Sequence, residues 1–165
     1  MSQKTKINKF LAGAVTATMV ATAVVPTAAL AAQPSDAYSD VKDLNADTLK
    51  ELDRALEYGL MSGYQNAGLF KPKAFMNRGQ VAKALAKYEA GKQGMTIAQY
   101  YNAKALDEKV APFADVPKTH IDKELYQASL IVKDAGTFTG VQNKLNPTQN
   151  IERGHMATVL VRAFG

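Results

Sequence analysis

The chain repeats itself at an offset of 75 residues, and this internal repeat constrains its fold more than any other feature of the sequence. Asp40-Val41 aligns with Asp115-Val116, and Arg78-Gly79 aligns with Arg153-Gly154. In both copies 38 residues separate the aspartate from the arginine, so the match extends over a whole supersecondary unit. We therefore expect two structural units related by duplication.

The two units, residues 38–90 and 113–165, are each predicted to contain two helices joined by a loop rich in Gly, Asn and Pro. The first helix of the first unit is expected to begin with a capping box between Thr48 and Glu51. Residues 91–112 are interpreted as a connecting helix. The predicted fold class is all-α, with tandem helix-loop-helix repeats packed as a small helical bundle. The four expected apolar faces, in chain order, are Leu49, Leu52, Leu56 and Leu60; Val81, Ala84, Leu85 and Tyr88; Ile121, Leu125, Ala128 and Val132; and Met156, Val159, Leu160 and Ala163.

Residues 1–31 have the order of a secretory signal peptide, with three lysines, an uncharged run and a small-residue stretch that ends in Ala29-Leu30-Ala31. We expect cleavage after Ala31. The alternative is an uncleaved membrane anchor, since residues 10–32 carry no charge and approach the length of a spanning helix. With the segment removed, no membrane association is expected.

The charge balance argues against nucleic acid as a partner. Removing residues 1–31 takes away three lysines and no acid, so the formal net charge falls from +5 to +2. No long run of Lys or Arg remains that would bind a phosphate backbone. The chain has no cysteine, which excludes disulfides, thiol catalysis and thiolate metal sites.

The motifs of the first unit resemble the S-layer homology module of bacterial surface proteins. "YSDV" at 38–41, "YGLMSGYQNAGLFKP" at 58–72 and "MNRGQVA" at 76–82 follow the family order: aromatic-x-Asp-Val, a Gly-x-x-x-Gly-Tyr turn, Phe-x-Pro, and Thr/Ser-Arg-Ala/Gly-Glu/Gln. The second unit is similar in "FADVPKTHI", "FTGVQNKLNP" and "IERGHMA". Two units are recognisable where the family usually has three.

The resemblance implies a non-catalytic module without cofactor or metal, secreted and held at a Gram-positive cell wall. Its implied partner is an anionic secondary cell-wall polysaccharide, commonly one that bears pyruvate ketals. The candidate ligand-binding residues of both units are Asp40, Gly63, Tyr64, Asn77, Arg78, Gly79, Gln80, Asp115, Gly140, Arg153 and Gly154.

Helix-end chemistry offers a reason for the Arg-Gly pair that does not need the family. With Asn77 as N-cap and Gln80 closing a capping box, the unpaired N–H groups at the helix start would favour an anion. The fork of Arg78 suits a carboxylate, Gly79 leaves room for it, and Tyr64 offers a flat face to a sugar ring. The second site is expected to be weaker, because Glu152 is a poor N-cap and adds negative charge, and because the residue at the Gln80 position is a histidine that cannot close the box.

A purely structural reading of the same residues stays open. In that reading the arginines pair with Asp40 and Asp115 to fasten loop to helix, and Gly79 is needed only because a neighbouring backbone packs close. For the two aspartates alone, ordering of a loop is the interpretation that we favour.

Catalysis has little support in the sequence. A glycosidase needs two carboxylates across one cleft, whereas Asp40 and Asp115 occupy equivalent positions of a duplication. His120 and His155 lack a metal-binding spacing. Two alternatives to wall anchoring remain: a structural surface-layer component that assembles with copies of itself, and the wall-targeting part of a larger peptidoglycan or polysaccharide hydrolase.

Overall fold

The computed structural model describes residues 32–165, so the predicted signal peptide lies outside the described residues. Within this range the chain forms six α-helices and no β-sheet, which confirms the all-α prediction. The helices are α1 (Ala46–Glu57), α2 (Arg78–Gly91), α3 (Ile97–Ala103), α4 (Leu106–Lys109), α5 (Lys123–Asp134) and α6 (Arg153–Phe164). Short 3-10 helices precede α1 and lie in the loop between α1 and α2.

The main core joins the two units. α2 of the first unit packs against α5 of the second, and α3 packs against both. The fully buried side chains of this core include Phe113, Leu130 and Leu145 from the second unit, which lie in one cluster with Val81 of α2. Burial of large apolar side chains is the main source of stability in a chain without disulfides. The two units are therefore distinct in the sequence, but the main hydrophobic core is built from residues of both.

The first half of the first unit forms a smaller cluster of its own. Tyr38, Val41 and Leu52 are buried there, and leucines of α1 and the ring of Phe70 pack around them. This cluster places the loop between α1 and α2 beside the start of α2.

Residues 91–112 contain α3 and α4. Thr96 caps α3 in a capping box with Gln99, and Ile97 and Leu106 bury their side chains in the main core. The segment is thereby part of the packed fold.

α4 is also tied to the second unit by polar contacts. The Asp107 carboxylate accepts hydrogen bonds from the Lys118 ammonium and the Tyr126 hydroxyl. These bonds, the one from Lys118 first, lower the pKa of Asp107 from 3.8 to about 2. Burial and the hydrogen bond to Asp107 raise the pKa of Tyr126.

Three sequence expectations are wrong, one about the start of a helix and two about apolar helix faces. α1 begins earlier than predicted, because the Asn45 side chain accepts from the Thr48 N–H and makes Asn45 the N-cap. Ile121 is 95% exposed because α5 begins only at Lys123, with Asp122 as its cap. Leu160 is 44% exposed, because α6 packs on the main core through Val159, with Met156 and Ala163 partly buried, and Leu160 lies at the edge of that face.

Candidate functional site

The start of α2 has the predicted cap. The Asn77 side chain accepts from the Gln80 N–H at 2.8 Å, and the Gln80 side chain accepts from the Asn77 N–H at 2.9 Å. This reciprocal capping box confirms the predicted roles of both residues in the helix.

The backbone donors at this helix start are used within the protein, contrary to expectation. The Arg78 N–H donates to the Gln149 carbonyl at 2.8 Å, and the Gly79 N–H donates to the Pro147 carbonyl at 2.9 Å. With Gln80 bonded to Asn77, the first three N–H groups of α2 all have protein acceptors. The prediction that these groups stand open to an anion is therefore corrected.

Gly79 is required by close packing. A Cβ built on it would lie 3.0 Å from the Pro147 Cβ and 3.1 Å from the Pro147 carbonyl oxygen. The absence of a side chain at Gly79 therefore allows the loop of the second unit to pack against the start of α2, as the structural reading proposed.

The Arg78 side chain turns into the second unit. Its Nε donates to the Leu145 carbonyl at 2.5 Å, and its guanidinium lies 5.4 Å from the centre of the Phe138 ring. The residue is only 7% exposed, yet it forms no ion pair with any acid of residues 32–165, Asp40 and Asp115 included. The predicted pairing with the motif aspartates is thus absent from this part of the chain, and the nearly buried guanidinium has no acidic counter-ion there.

Arg153 and Gly154 stand in a different environment at the start of α6. Both are exposed, and a Cβ on Gly154 would meet nothing within 4 Å. Glu152 makes no side-chain capping bond, and its carboxylate lies 3.8 Å from the ring nitrogen of His155. The two Arg-Gly pairs are therefore unequal in their surroundings.

Asp40 and Asp115 fasten loops in the same way. Asp40 accepts from the Phe70 and Lys71 N–H groups at 2.8 and 2.7 Å, and Asp115 accepts from the Leu145 and Asn146 N–H groups at 2.9 and 2.7 Å. The bond from the Phe70 N–H is the main cause that lowers the pKa of Asp40. The geometry agrees with the loop-ordering interpretation.

Gly63 and Gly140 are also equivalent. A Cβ on Gly63 would overlap the ring of Tyr38 at 2.3 Å, and one on Gly140 would overlap the ring of Phe113 at 2.6 Å. Each glycine lets the motif aromatic residue pack on the turn, which is a structural role.

A groove beside α2 brings aromatic rings and lysines together. It has a volume of about 380 Å³ and lies between the loop of the first unit, α2 and the start of α5. Tyr64 lines it and is 46% exposed, and Phe75 lines it and is 85% exposed. The charged or strongly polar side chains along it are Ser62, Lys71, Gln80, Lys83, Lys87 and Glu124.

The groove has an excess of positive charge, with three lysines against one glutamate. The Lys71 ammonium lies 4.3 Å from the centre of the Tyr64 ring. Burial disfavours the charged form of Lys83, but its hydrogen bond to Asp122 and the nearby Glu124 outweigh burial and raise its pKa above the usual value. Lys83 therefore keeps its charge at neutral pH.

Such a surface has the chemistry to hold an anionic saccharide. Exposed aromatic rings pack on the apolar face of a sugar, and ammonium groups attract a carboxylate or phosphate. Of the groove residues, Tyr64 and Gln80 were among the predicted ligand-binding residues, and the three lysines were not. Lys83 and Lys87 lie four residues apart on one face of α2, and this spacing was the available signal.

Residues 32–165 hold neither a candidate metal cluster nor a candidate membrane span. No three His, Asp or Glu side chains in that range are grouped so that they could hold a metal ion. None of its helices has both the length and the apolar character needed to cross a bilayer.

Comparison with known proteins identifies the first unit. Residues 37–82 match the family model of the S-layer homology domain. The matched range runs from the aromatic-x-Asp-Val motif to the first turns of α2. No curated protein matches the chain significantly. No solved structure does so either.

Proposed function

We propose, from the match of residues 37–82 to the S-layer homology domain, a module of cell-wall and cell-surface association, that the chain is non-catalytic and binds an anionic, pyruvylated secondary cell-wall polysaccharide. The proposed contact surface is the groove beside α2. Its proposed ligand is a saccharide that bears a carboxylate.

The observation that supports this proposal most directly is the pairing of Lys71 with Tyr64. The ammonium stands over an exposed ring that lines a groove together with Phe75 and two further lysines. A sugar ring stacked on the face of Tyr64 that Lys71 leaves free would have its carboxylate attracted by that ammonium. The packing of residues 32–165 leaves the Tyr64 and Phe75 rings exposed, so both are available to a ligand.

Arg78 stays in the proposal as a second source of positive charge. Its guanidinium is nearly buried and lacks an acid partner in the described range, which an anion would supply. The predicted ligand contacts of Asp40, Asp115, Gly63, Gly140, Arg153 and Gly154 also remain predictions, and the geometry offers them less support.

Binding to purified walls tests the proposed function. We expect the chain without residues 1–31 to sediment with walls that retain their secondary polysaccharide and not with peptidoglycan stripped of it. Tyr64→Ala and Phe75→Ala should each weaken sedimentation, because each removes a stacking surface. Tyr58→Ala is the matched control, since Tyr58 is 76% exposed and lies outside the groove.

Two outcomes would contradict the proposal. Equal sedimentation with intact and stripped walls would indicate peptidoglycan as the ligand. Losses as large for Tyr58→Ala as for Tyr64→Ala would show that the groove is not the contact surface.

Export and cargo belong to the same proposal. We infer that residues 1–31 direct secretion and are removed, which leaves the module outside the cell. The remaining chain would serve either as an accessory wall protein or as the targeting part of a larger hydrolase.

A second candidate function, self-association, is favoured by the surface of α6. Ala82 and Ala86 of α2 are fully buried, whereas Ala157 and Val161 at the same register of α6 are exposed. The face of α2 is covered by α5 and the loop of the second unit. A second copy would offer α6 an equivalent loop from its own first unit.

Light scattering separates this candidate from anchoring by a monomer. Self-association predicts a mass above that of one chain without polysaccharide, and Val161→Lys should restore the monomer. Ile121→Lys is the control, because Ile121 is an exposed β-branched residue outside α6. A monomer at all concentrations would refute self-association.

A further inference from the structure

An ion-pair cluster beside the groove joins α2 of the first unit to α5 of the second. The Lys83 ammonium lies 2.7 Å from an Asp122 carboxylate oxygen and 3.4 Å from a Glu124 oxygen. The Lys87 ammonium lies 3.6 Å from the other Glu124 oxygen. Both lysines are on α2, and both acids are at the start of α5.

The two acids of the cluster differ in how firmly they are held. One Asp122 oxygen caps α5 by accepting from the Leu125 N–H at 2.9 Å, and the other accepts from Lys83. Asp122 therefore cannot leave the cluster without uncapping the helix. Glu124 has only the longer contacts to the two lysines, and its side chain is 46% exposed.

Glu124 and a bound anion would compete for the same charges. Glu124 lines the groove together with Lys83 and Lys87, while Asp122 is not part of the lining. Rotation of the Glu124 side chain into solvent would leave Lys87 without its acid and Lys83 with Asp122 alone. No backbone movement is needed for this change.

We propose that Glu124 is a selectivity residue of the groove: it neutralises Lys83 and Lys87 in the free protein and is displaced by the carboxylate of an anionic saccharide. This proposal rests on the proposed function. A neutral sugar cannot replace Glu124, so the cluster stays closed to it. A carboxylate restores the ion pairs that Glu124 gives up, so the net cost of displacement is small.

Glu124→Gln removes the competing charge and provides the test. The probes are a methyl glycoside with a 4,6-pyruvate ketal and its neutral parent glycoside, titrated calorimetrically into the chain without residues 1–31. We expect Glu124→Gln to bind the ketal about two- to fivefold more tightly, the range of an exposed charge pair. Binding of the neutral glycoside should not change.

Two further variants show whether a change in affinity depends on the charges of the groove. Glu108→Gln is the matched control, because it removes the same charge from an exposed position on α4 outside the groove, and it should leave the affinity unchanged. Lys87→Gln should weaken binding of the ketal, because it removes a cation that the displaced Glu124 exposes. The thermal melting temperature of each variant reports whether it is folded.

The outcomes distinguish this inference from the proposed function. If the unsubstituted chain binds neither the ketal nor intact walls, the proposed function is wrong. If it binds the ketal but Glu124→Gln leaves the affinity unchanged, the inference alone is overturned. Weaker binding by Glu124→Gln overturns it too, because Glu124 would then be accepting hydrogen bonds from sugar hydroxyls.

Discussion

The two glycines of the Arg-Gly pairs should respond oppositely to alanine. Gly79 and Gly154 hold the same position at the start of α2 and α6, so the helix gains equally from the substitution at both. They differ in what the added methyl group meets. At Gly79 it meets Pro147 at 3.0 Å, and at Gly154 it meets nothing within 4 Å.

The magnitude follows from whether Pro147 can move away. Its carbonyl accepts from the Gly79 N–H, and the two residues before it are held by both oxygens of Asp115. The loop therefore cannot yield cheaply, and overpacking of this kind costs about 1–3 kcal/mol. The substitution also gains about 0.4–1 kcal/mol from the helix, so the net destabilisation by Gly79→Ala should lie between about 0 and 2.6 kcal/mol, with a central value of about 1.3 kcal/mol. Gly154→Ala should stabilise it by about 0.4–1 kcal/mol.

Urea denaturation followed by far-ultraviolet circular dichroism measures both changes against the unsubstituted chain. Equal free energies of unfolding for Gly79→Ala and Gly154→Ala would refute the reasoning, since they would mean that the second-unit loop is not packed on α2. Stabilisation by Gly79→Ala would show that the loop yields more easily than its hydrogen bonds indicate.

Three further predictions concern charge, burial and processing. Because the pKa of Asp107 is lowered to about 2, its carboxyl is protonated more readily in the unfolded chain, and its stabilising effect is lost as the pH falls from 3.8 towards 2. Asp107→Asn should therefore flatten the decline of the urea midpoint between about pH 5 and about pH 2.5. Arg78→Ala should lower the free energy of unfolding by about 1–3 kcal/mol, while Arg153→Ala, at an exposed position, should change it by less than about 0.5 kcal/mol; equal losses in denaturation would contradict this. Mass spectrometry of secreted protein should find Ala32 or Gln33 as the first residue, and retention of Met1 would disprove cleavage.

Features that depend on a few neighbouring residues could be predicted from the sequence. The capping box of Asn77 and Gln80 needs only four consecutive residues, and it is present as expected. The loop-ordering role of Asp40 and Asp115 could also be predicted, because the two residues occupy equivalent positions of the sequence repeat, each followed by a similar loop.

Features that depend on which element covers a surface could not be predicted. The N–H groups of Arg78 and Gly79 were expected to be open, because the sequence does not show that residues 147–149 pack on them. Leu160 was assigned to a buried face from its helical spacing, which identifies a face but not its neighbour. The lysine-lined groove likewise exists only where α2 and α5 meet.

The shared core also determines the order in which the chain can fold. The hydrogen bond from Arg78 to Leu145 spans 67 residues, so α2 lacks its main partners until most of the chain has been synthesised. The small cluster around Tyr38 and Leu52 needs only local residues and can form first. A nascent chain that ends near residue 112 would therefore hold the residues of the N-terminal cluster, together with an α2 that has only α3 to pack against. Both copies of the sequence repeat contribute to the main core, so α2 and α5 are covered only when both have been synthesised.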